Sequence, residues 1–239
     1  MKSAILASTL LTSVSAFTST QSKNTSALKA MPERLWDSMV DKTQRSKAVP
    51  FLPRAVNLDG SLPGDQGFDP MYLSSIPKNF SGFIQPPSWE ETNLSTLYWM
   101  REAELKHSRV AMLAWAGWVA TDMGLRFPGS LYSVESIPTA FEAHNALVAQ
   151  GSMAFMLTMV GIVEFCTGAV IVEVAKGQND REAGDFKFDP LNFLKGKSDA
   201  EKFTMRTKEI NNGRLAMLAF GGVATQTALE NANHAFPYF

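Results

Sequence analysis

The sequence predicts an all-α membrane protein with three transmembrane helices, the first and third forming a crossed pseudo-two-fold pair around an unduplicated middle helix. Three observations predict it. The apolar run from Ala146 to Val172 exceeds the roughly 20 residues that a bilayer core requires. Two shorter runs, Val110 to Val119 and Leu215 to Leu229, reach spanning length only if each helix begins in the charged stretch before it. The segments that carry these two runs are repeats of one another. The average composition conceals this pattern, because 239 residues with a net charge of -1 and a mean hydropathy of -0.06 fit many classes.

The first residues, "MKSAILASTLLTSVSAF", combine a basic start at Lys2, an apolar stretch from Ala4 to Val14 and the small-residue ending Val14-Ser15-Ala16. They read as a signal peptide over 1–16 and are too short to span a bilayer. The Ser- and Thr-rich stretch that follows, with Lys23, Lys29 and no acid, reads as a plastid transit segment over 17–30. The pair is similar to the two-part address of proteins entering plastids bounded by extra membranes. An ordinary secreted protein with a flexible start is the alternative, and the single Cys166, which cannot form an internal disulfide, does not support secretion. From Pro32 to Ser88 the density of Pro, Gly and charge predicts an extended surface segment within a main domain of 31–239. The spans are expected at about 93–121, 145–175 and 202–229.

Sliding the chain by 105 positions lays "ELKHSRVAMLAWAG" (Glu104 to Gly117) on "EINNGRLAMLAFGG" (Glu209 to Gly222), which matches Glu104 with Glu209 and Arg109 with Arg214. Upstream, "GDQGFDP" (Gly64 to Pro70) recurs as "GDFKFDP" (Gly184 to Pro190), so the duplicated unit is a Phe-Asp-Pro turn followed by a helix. Orientation follows from the basic residues. Lys176, Arg181, Lys187, Lys195, Lys197, Lys202, Arg206 and Lys208 lie between Glu173 and Lys208, whereas 122–145 holds only Arg126 as a fixed positive charge. The positive-inside rule then puts the N-terminal segment and the second loop on one face of the membrane.

Charge inside a membrane needs a partner. Glu104, Arg109, Glu209 and Arg214 left alone would cost about 10 to 14 kcal/mol together. Residues five apart lie about 140° apart around a helix, too far for a good intrahelical pair. Two repeats related by a pseudo-two-fold axis solve this reciprocally, with Glu104 reaching Arg214 and Glu209 reaching Arg109. Ala111, Ala114 and Gly117, matched by Ala216, Ala219 and Gly222, are expected to let the helices cross closely.

His107 follows Glu104 by three residues and Asn212 follows Glu209 by three, so each repeat offers an acid and a neutral ligand on neighbouring faces. Glu164 has Val160, Gly161, Thr167 and Gly168 at helical-neighbour spacing and no cation on its own helix, so it must be protonated, paired from another helix, or bound to a metal. Each of these groups is either an interhelical hydrogen bonder or a ligand. Small neighbours favour the ligand: Ala103 and Ala111 flank His107, Ala216 follows Asn212, Gly161 and Gly168 flank Glu164, and Gly222 precedes Gln226. Such neighbours leave flat ground for a planar macrocycle. Magnesium in a chlorin ring needs one axial oxygen or imidazole ligand, and singly scattered groups suit many separate chlorophylls. A Glu paired with Arg keeps a second oxygen to offer.

"EAELKHSRVAML" and "KEINNGRLAML" resemble the light-harvesting chlorophyll-binding family, over about Pro50 to Phe239. "VPFLPRAVNLDGSLPGDQGFDP", "WMREAELKHSR" and "GIVEFCTG" are most similar to the antennas of red-lineage algae, either fucoxanthin chlorophyll a/c-type or red-algal photosystem I-type. The resemblance implies a non-enzymatic antenna in the thylakoid membrane of the plastid with its N-terminus stromal. It implies chlorophyll a, chlorophyll c and fucoxanthin-like or other xanthophylls as cofactors. The implied partners are a photosystem core, photosystem I, with neighbouring antenna subunits and thylakoid lipids, and no nucleic acid. By position it makes Glu104, His107, Glu164, Glu209, Asn212 and Gln226 axial ligands of chlorophyll magnesium and Arg109 and Arg214 ion-pair arginines. It places Asp69 and Asp189 at carotenoid end-group sites and His234 at a C-terminal pigment site. Met156 stands where many members carry Gln. Two other functions stay open. One is a quenching antenna of the same fold, with Asp122, Glu135 and Glu142 as lumen-facing acids; the other is a small transporter or channel subunit using the buried Glu residues as a proton path.

Overall fold

The computed structural model describes residues 37–76 and 94–229, so the expected signal peptide, transit segment and His234 lie outside the described residues. Among these, two compact units are distinguished, one formed by 37–59 with Gln66–Ser75, the other by Gly60–Asp65 with Ile76 and 94–229.

The first unit corrects the all-α expectation, since within the stretch expected to be an extended surface segment lies an antiparallel ribbon of β1 (Val40–Arg45) and β2 (Pro53–Ala55). The chain is therefore mostly helical and not all-α. The ribbon pairs Val40 with Ala55 and Asp41 with Arg54, whose side chains form an ion pair at 3.0 Å. Met39, Val40, Ala55 and Tyr72 are buried in it, and the Tyr72 hydroxyl donates to the Pro53 carbonyl at 3.0 Å. A strand of three residues is too short for alternation to register, and the flanking Pro residues dominate the local signal.

The second unit contains α1 (Thr96–Asp122), α2 (Ala140–Ala149), α3 (Ser152–Ala175) and α4 (Asp199–Thr227). Ser95 caps α1, its hydroxyl accepting from the Tyr98 amide, and Ser198 caps α4 in a reciprocal box with Glu201. The middle span does not run unbroken from 145 to 175. Gly151 adopts φ of +80°, the left-handed conformation that ends a helix, and separates α2 from α3. Gln150, at the C-terminal end of α2, donates to the Leu131 carbonyl at 3.0 Å.

Among the described helices α3 alone is long and apolar enough by composition to cross a membrane, and only 6% of its apolar window is buried by protein. The 27 residues of α1 and 29 of α4 give rods of about 40 Å, long enough to cross when their charged starts are included. The two helices pack closely along their charged halves. They approach closely at Ser108 against Gly213, where a methyl on Gly213 would overlap the Ser108 side chain and sit 3.1 Å from its Cα. Ala111 and Ala216 are buried beside the crossing, and Trp118 meets Phe220 edge to face at 5.7 Å further along. The expectation for Gly117 and Gly222 is corrected: both face open space. The crossing lies nine residues, about two and a half turns, before them, so these two glycines end up on open faces.

Candidate functional site

The repeat fixes the centre of the site. Arg109 Nε donates to Glu209 Oε1 at 2.8 Å, and Arg214 Nε donates to Glu104 Oε1 at 2.8 Å, so both expected interhelical pairs form. Each arginine also reaches the loop ahead of the partner helix. Arg109 Nη1 donates to the Gly184 carbonyl at 2.8 Å and Arg214 Nη1 to the Gly64 carbonyl at 2.6 Å. Both glycines have positive φ, and a methyl on either would overlap the helix below it, Leu105 under Gly184 and Ile210 under Gly64. Leu105 and Ile210 are themselves repeat mates. The guanidinium fork thus joins helix to helix and helix to loop with one charge.

The two repeat glutamates are not equivalent. Glu209 Oε2 has no partner among the described residues, which leaves it free to bind a metal. Glu104 Oε2 accepts from Arg101 Nη1 at 2.7 Å, and Arg101 also donates to the Pro63 carbonyl. The expectation that a paired Glu keeps a spare oxygen therefore holds for Glu209 and is corrected for Glu104. The cause lies in the loops: Arg206, the repeat mate of Arg101, is drawn instead to Glu182 and Asp185.

His107 is exposed, and its Nδ1 lies 2.7 Å from the Ala103 carbonyl of its own helix. A carbonyl only accepts, so Nδ1 carries the proton and Nε2 presents its lone pair outward. Asn212 and Gln226 are exposed, with no side-chain partner among the described residues. Within the two turns beyond His107 lie exposed Val110 and Leu113, and in the same relation to Asn212 lie exposed Leu215 and Leu218. Each of these polar side chains thus stands at the head of an apolar ledge. No three His, Cys, Asp or Glu side chains converge among the described residues. Single donors beside uncovered apolar surface fit magnesium-chlorin rings, which take one axial ligand and bury their faces.

Glu164 does have a cation. Lys106 of α1 places Nζ 2.7 Å from Glu164 Oε2 and 3.0 Å from Thr167 Oγ1. Of the three alternatives left open for Glu164, the pairing from another helix is the one that forms, with a partner that spacing along α3 could not indicate. Gly161 and Gly168 beside it face open space. Asp69 and Asp189 hold turns in the same way: Asp69 accepts from the Leu73 and Ser74 amides at 2.9 and 2.8 Å, and Asp189 from those of Phe193 and Leu194 at 2.9 and 2.8 Å. Tyr72 and Asn192 follow at the same left-handed φ of 55°.

Sequence reasoning missed Glu102 and Arg181. Their side chains are 2% and 4% exposed and pair at 3.0 Å, while Glu102 Oε2 also accepts from the Gly184 amide at 2.6 Å. Arg181 lies over the Phe186 ring at 4.3 Å. Glu102 has neutral Thr207 as its repeat mate, so the duplication carried no signal for it.

The family described as Chlorophyll A-B binding protein matches residues 54–228. Chlorophyll a-b binding protein 1B-21 of Hordeum vulgare is 32% identical over 189 residues, covering 77% of this chain and 68% of the barley protein. Chlorophyll a-b binding protein 6 of Arabidopsis thaliana is 31% identical over 192 residues, covering 74% and 66% respectively. Light-harvesting complex stress-related protein 1 of Chlamydomonas reinhardtii is 32% identical over 186 residues, covering 75% and 67%. The chain thus spans about two thirds of the length of these relatives, all described as chloroplastic. With its duplicated helix and reciprocal ion pairs inside the matched region, the chain belongs to the chlorophyll a-b binding protein family, non-enzymatic pigment-binding proteins of the chloroplast thylakoid membrane.

Proposed function

We propose that this protein is a light-harvesting antenna that passes excitation to a photosystem, photosystem I in the first instance. The observation that carries the reading is the pairing of His107 and Asn212, outward single ligands at repeat-related positions, each heading an exposed apolar ledge. Chlorophyll, when bound, absorbs the light and hands on the excitation. The chain's work is to space and orient the rings. The crossing of α1 and α4 fixes the directions in which His107, Glu209, Asn212 and Gln226 point. Locking His107 Nδ1 to the Ala103 carbonyl fixes its ring plane, and the three helices lie across the bilayer with the 176–198 loop on the stromal side. Glu164 joins the ligand set with one oxygen already engaged, and Glu104 with both oxygens accepting from arginines. Chlorophyll c, fucoxanthin-like xanthophylls and a red-lineage origin extend the reading from the N-terminal address and the "GIVEFCTG" middle helix.

The test is pigment analysis of the native protein with a fluorescence excitation spectrum of the photosystem I complex. Chlorophyll a with chlorophyll c and a xanthophyll, all feeding photosystem I emission, is the expected result. A preparation without chlorophyll would end the reading.

A quenching role is the second reading, favoured by the stress-related relatives. Its sensor would be acids facing the lumen. Asp122 accepts from the Ala140 amide at 2.6 Å and Glu142 interacts with its helix cap Thr139, which among the described residues of the 122–145 loop leaves Glu135 as the exposed acid without a bond of this kind. That favours harvesting. A fluorescence lifetime that shortens sharply below neutral pH would favour quenching instead.

A further inference from the structure

We propose that Lys106 is the positioning residue for the chlorophyll of the middle helix, holding the Glu164 carboxylate by one oxygen so that the other is presented to magnesium. This rests on the reading of Glu164 as an axial ligand given above.

The middle helix supplies no cation of its own near Glu164, whose helical neighbours are Val160, Gly161, Thr167 and Gly168. The ammonium of Lys106 spans one turn of α3, donating to Glu164 Oε2 at 2.7 Å and to Thr167 Oγ1 at 3.0 Å. Oε1 has no partner among the described residues. A lysine suits this task better than an arginine, because a compact point charge engages one oxygen where a planar fork reaches for both. Two acceptors on successive turns, both held by the one ammonium, also fix the rotation of α3 about its axis, at a helix otherwise left almost bare by the protein. Gly161 and Gly168, on the same face as Glu164, open the space into which Oε1 can point.

The repeat supports a dedicated role. Lys106 is matched by Asn211, which carries no charge, so the duplicated pair has no use for a cation at this position. The middle helix is unduplicated, and so is the lysine that serves it. With Lys106 included, Glu104, Glu164 and Glu209 each have a cation from another helix.

The experiment reconstitutes the full chain with chlorophyll a and a xanthophyll and counts chlorophylls per protein, with difference absorption spectra. Lys106→Met is expected to lose one chlorophyll, the same spectral component that Glu164→Leu loses, and Lys106→Met/Glu164→Leu is expected to lose nothing more. Lys106→Arg should restore part of that component. Lys106→Met/Glu164→Gln should regain the pigment, since an amide oxygen ligates without a counter-charge. The double variant also decides the matter if Lys106→Met alone does not assemble. A carbodiimide that joins contacting amines and carboxylates should cross-link Lys106 to Glu164, read by peptide mass spectrometry, whether or not pigment is bound. A full chlorophyll complement in Lys106→Met, or a loss that adds to that of Glu164→Leu, overturns the proposal while leaving Glu164 a ligand. If Glu164→Leu itself keeps every chlorophyll, the ligand reading of Glu164 is what fails, and the proposal falls with it.

Discussion

At the scale of single residues, the site separates groups that hold the protein together from groups that are free to hold something else. His107 spends its proton on its own helix, so replacing it orphans only one carbonyl that an i+4 amide already serves. His107→Leu is therefore expected to fold and to lose one chlorophyll per protein in reconstitution, with the carotenoids retained. An unchanged chlorophyll-to-carotenoid ratio would make it a packing residue. Arg109 is the opposite case, because it neutralises Glu209 and satisfies the Gly184 carbonyl together. Arg109→Met leaves a carboxylate in the membrane, at about 2.5 to 3.5 kcal/mol, and strips a carbonyl of its donor at about 1 to 3 kcal/mol more. The unfolding midpoint should fall sharply, and Arg109→Met/Glu209→Gln should recover the charge part of that loss and not the carbonyl part. Equal midpoints for the single and double variants would show that charge is not the dominant cost.

At the scale of elements, the crossing and the caps are where sequence dictates geometry most directly. Gly213 allows α4 to lie on Ser108, whereas Gly117 faces open space. Gly213→Ala is expected to cost about 1 to 3 kcal/mol by overpacking, while Gly117→Ala, in a helix with room for the methyl, should be neutral or stabilise by up to about 1 kcal/mol. Thermal unfolding of the pair in detergent checks the contrast, and similar losses in both would move the crossing. The start of α4 depends on the Ser198–Glu201 box, and Ser198→Ala is expected to cost about 1 kcal/mol. The Ser198 amide and hydroxyl hold the Glu201 carboxyl below its ordinary value of 4.5. A group whose folded value is depressed contributes above its unfolded value and loses that contribution as pH falls through the folded one. The gap between the parent and Ser198→Ala should thus be full above pH 4.5 and narrow below it, as melts across that range would show.

At the scale of the whole chain, the distribution of basic residues sets the direction of insertion. The 176–198 loop carries Lys176, Arg181, Lys187, Lys195 and Lys197, against Arg126 alone in 123–145. Protease added to sealed thylakoid vesicles with the stromal face outward should cut in the first of these loops and spare the second. Cleavage confined to 123–145 would invert the topology. The same orientation puts Glu135 in the lumen, where the choice between harvesting and quenching would be made.

The sequence by itself determined the duplication, the existence and order of the three long helices, the reciprocal Glu–Arg pairs and the apolar middle helix. All of these follow from local pattern and from the cost of unpaired charge in lipid, which leaves few alternatives. Tertiary structure alone decided the rest. It placed the crossing at Ser108 and Gly213 rather than at Gly117 and Gly222, because the angle between two helices is set by where their surfaces first touch. It closed the second oxygen of Glu104 with Arg101 and left that of Glu209 open, because the two loops differ in their acids. It gave Glu164 its partner in Lys106, 58 residues away, a distance along the chain over which no helical spacing can be read.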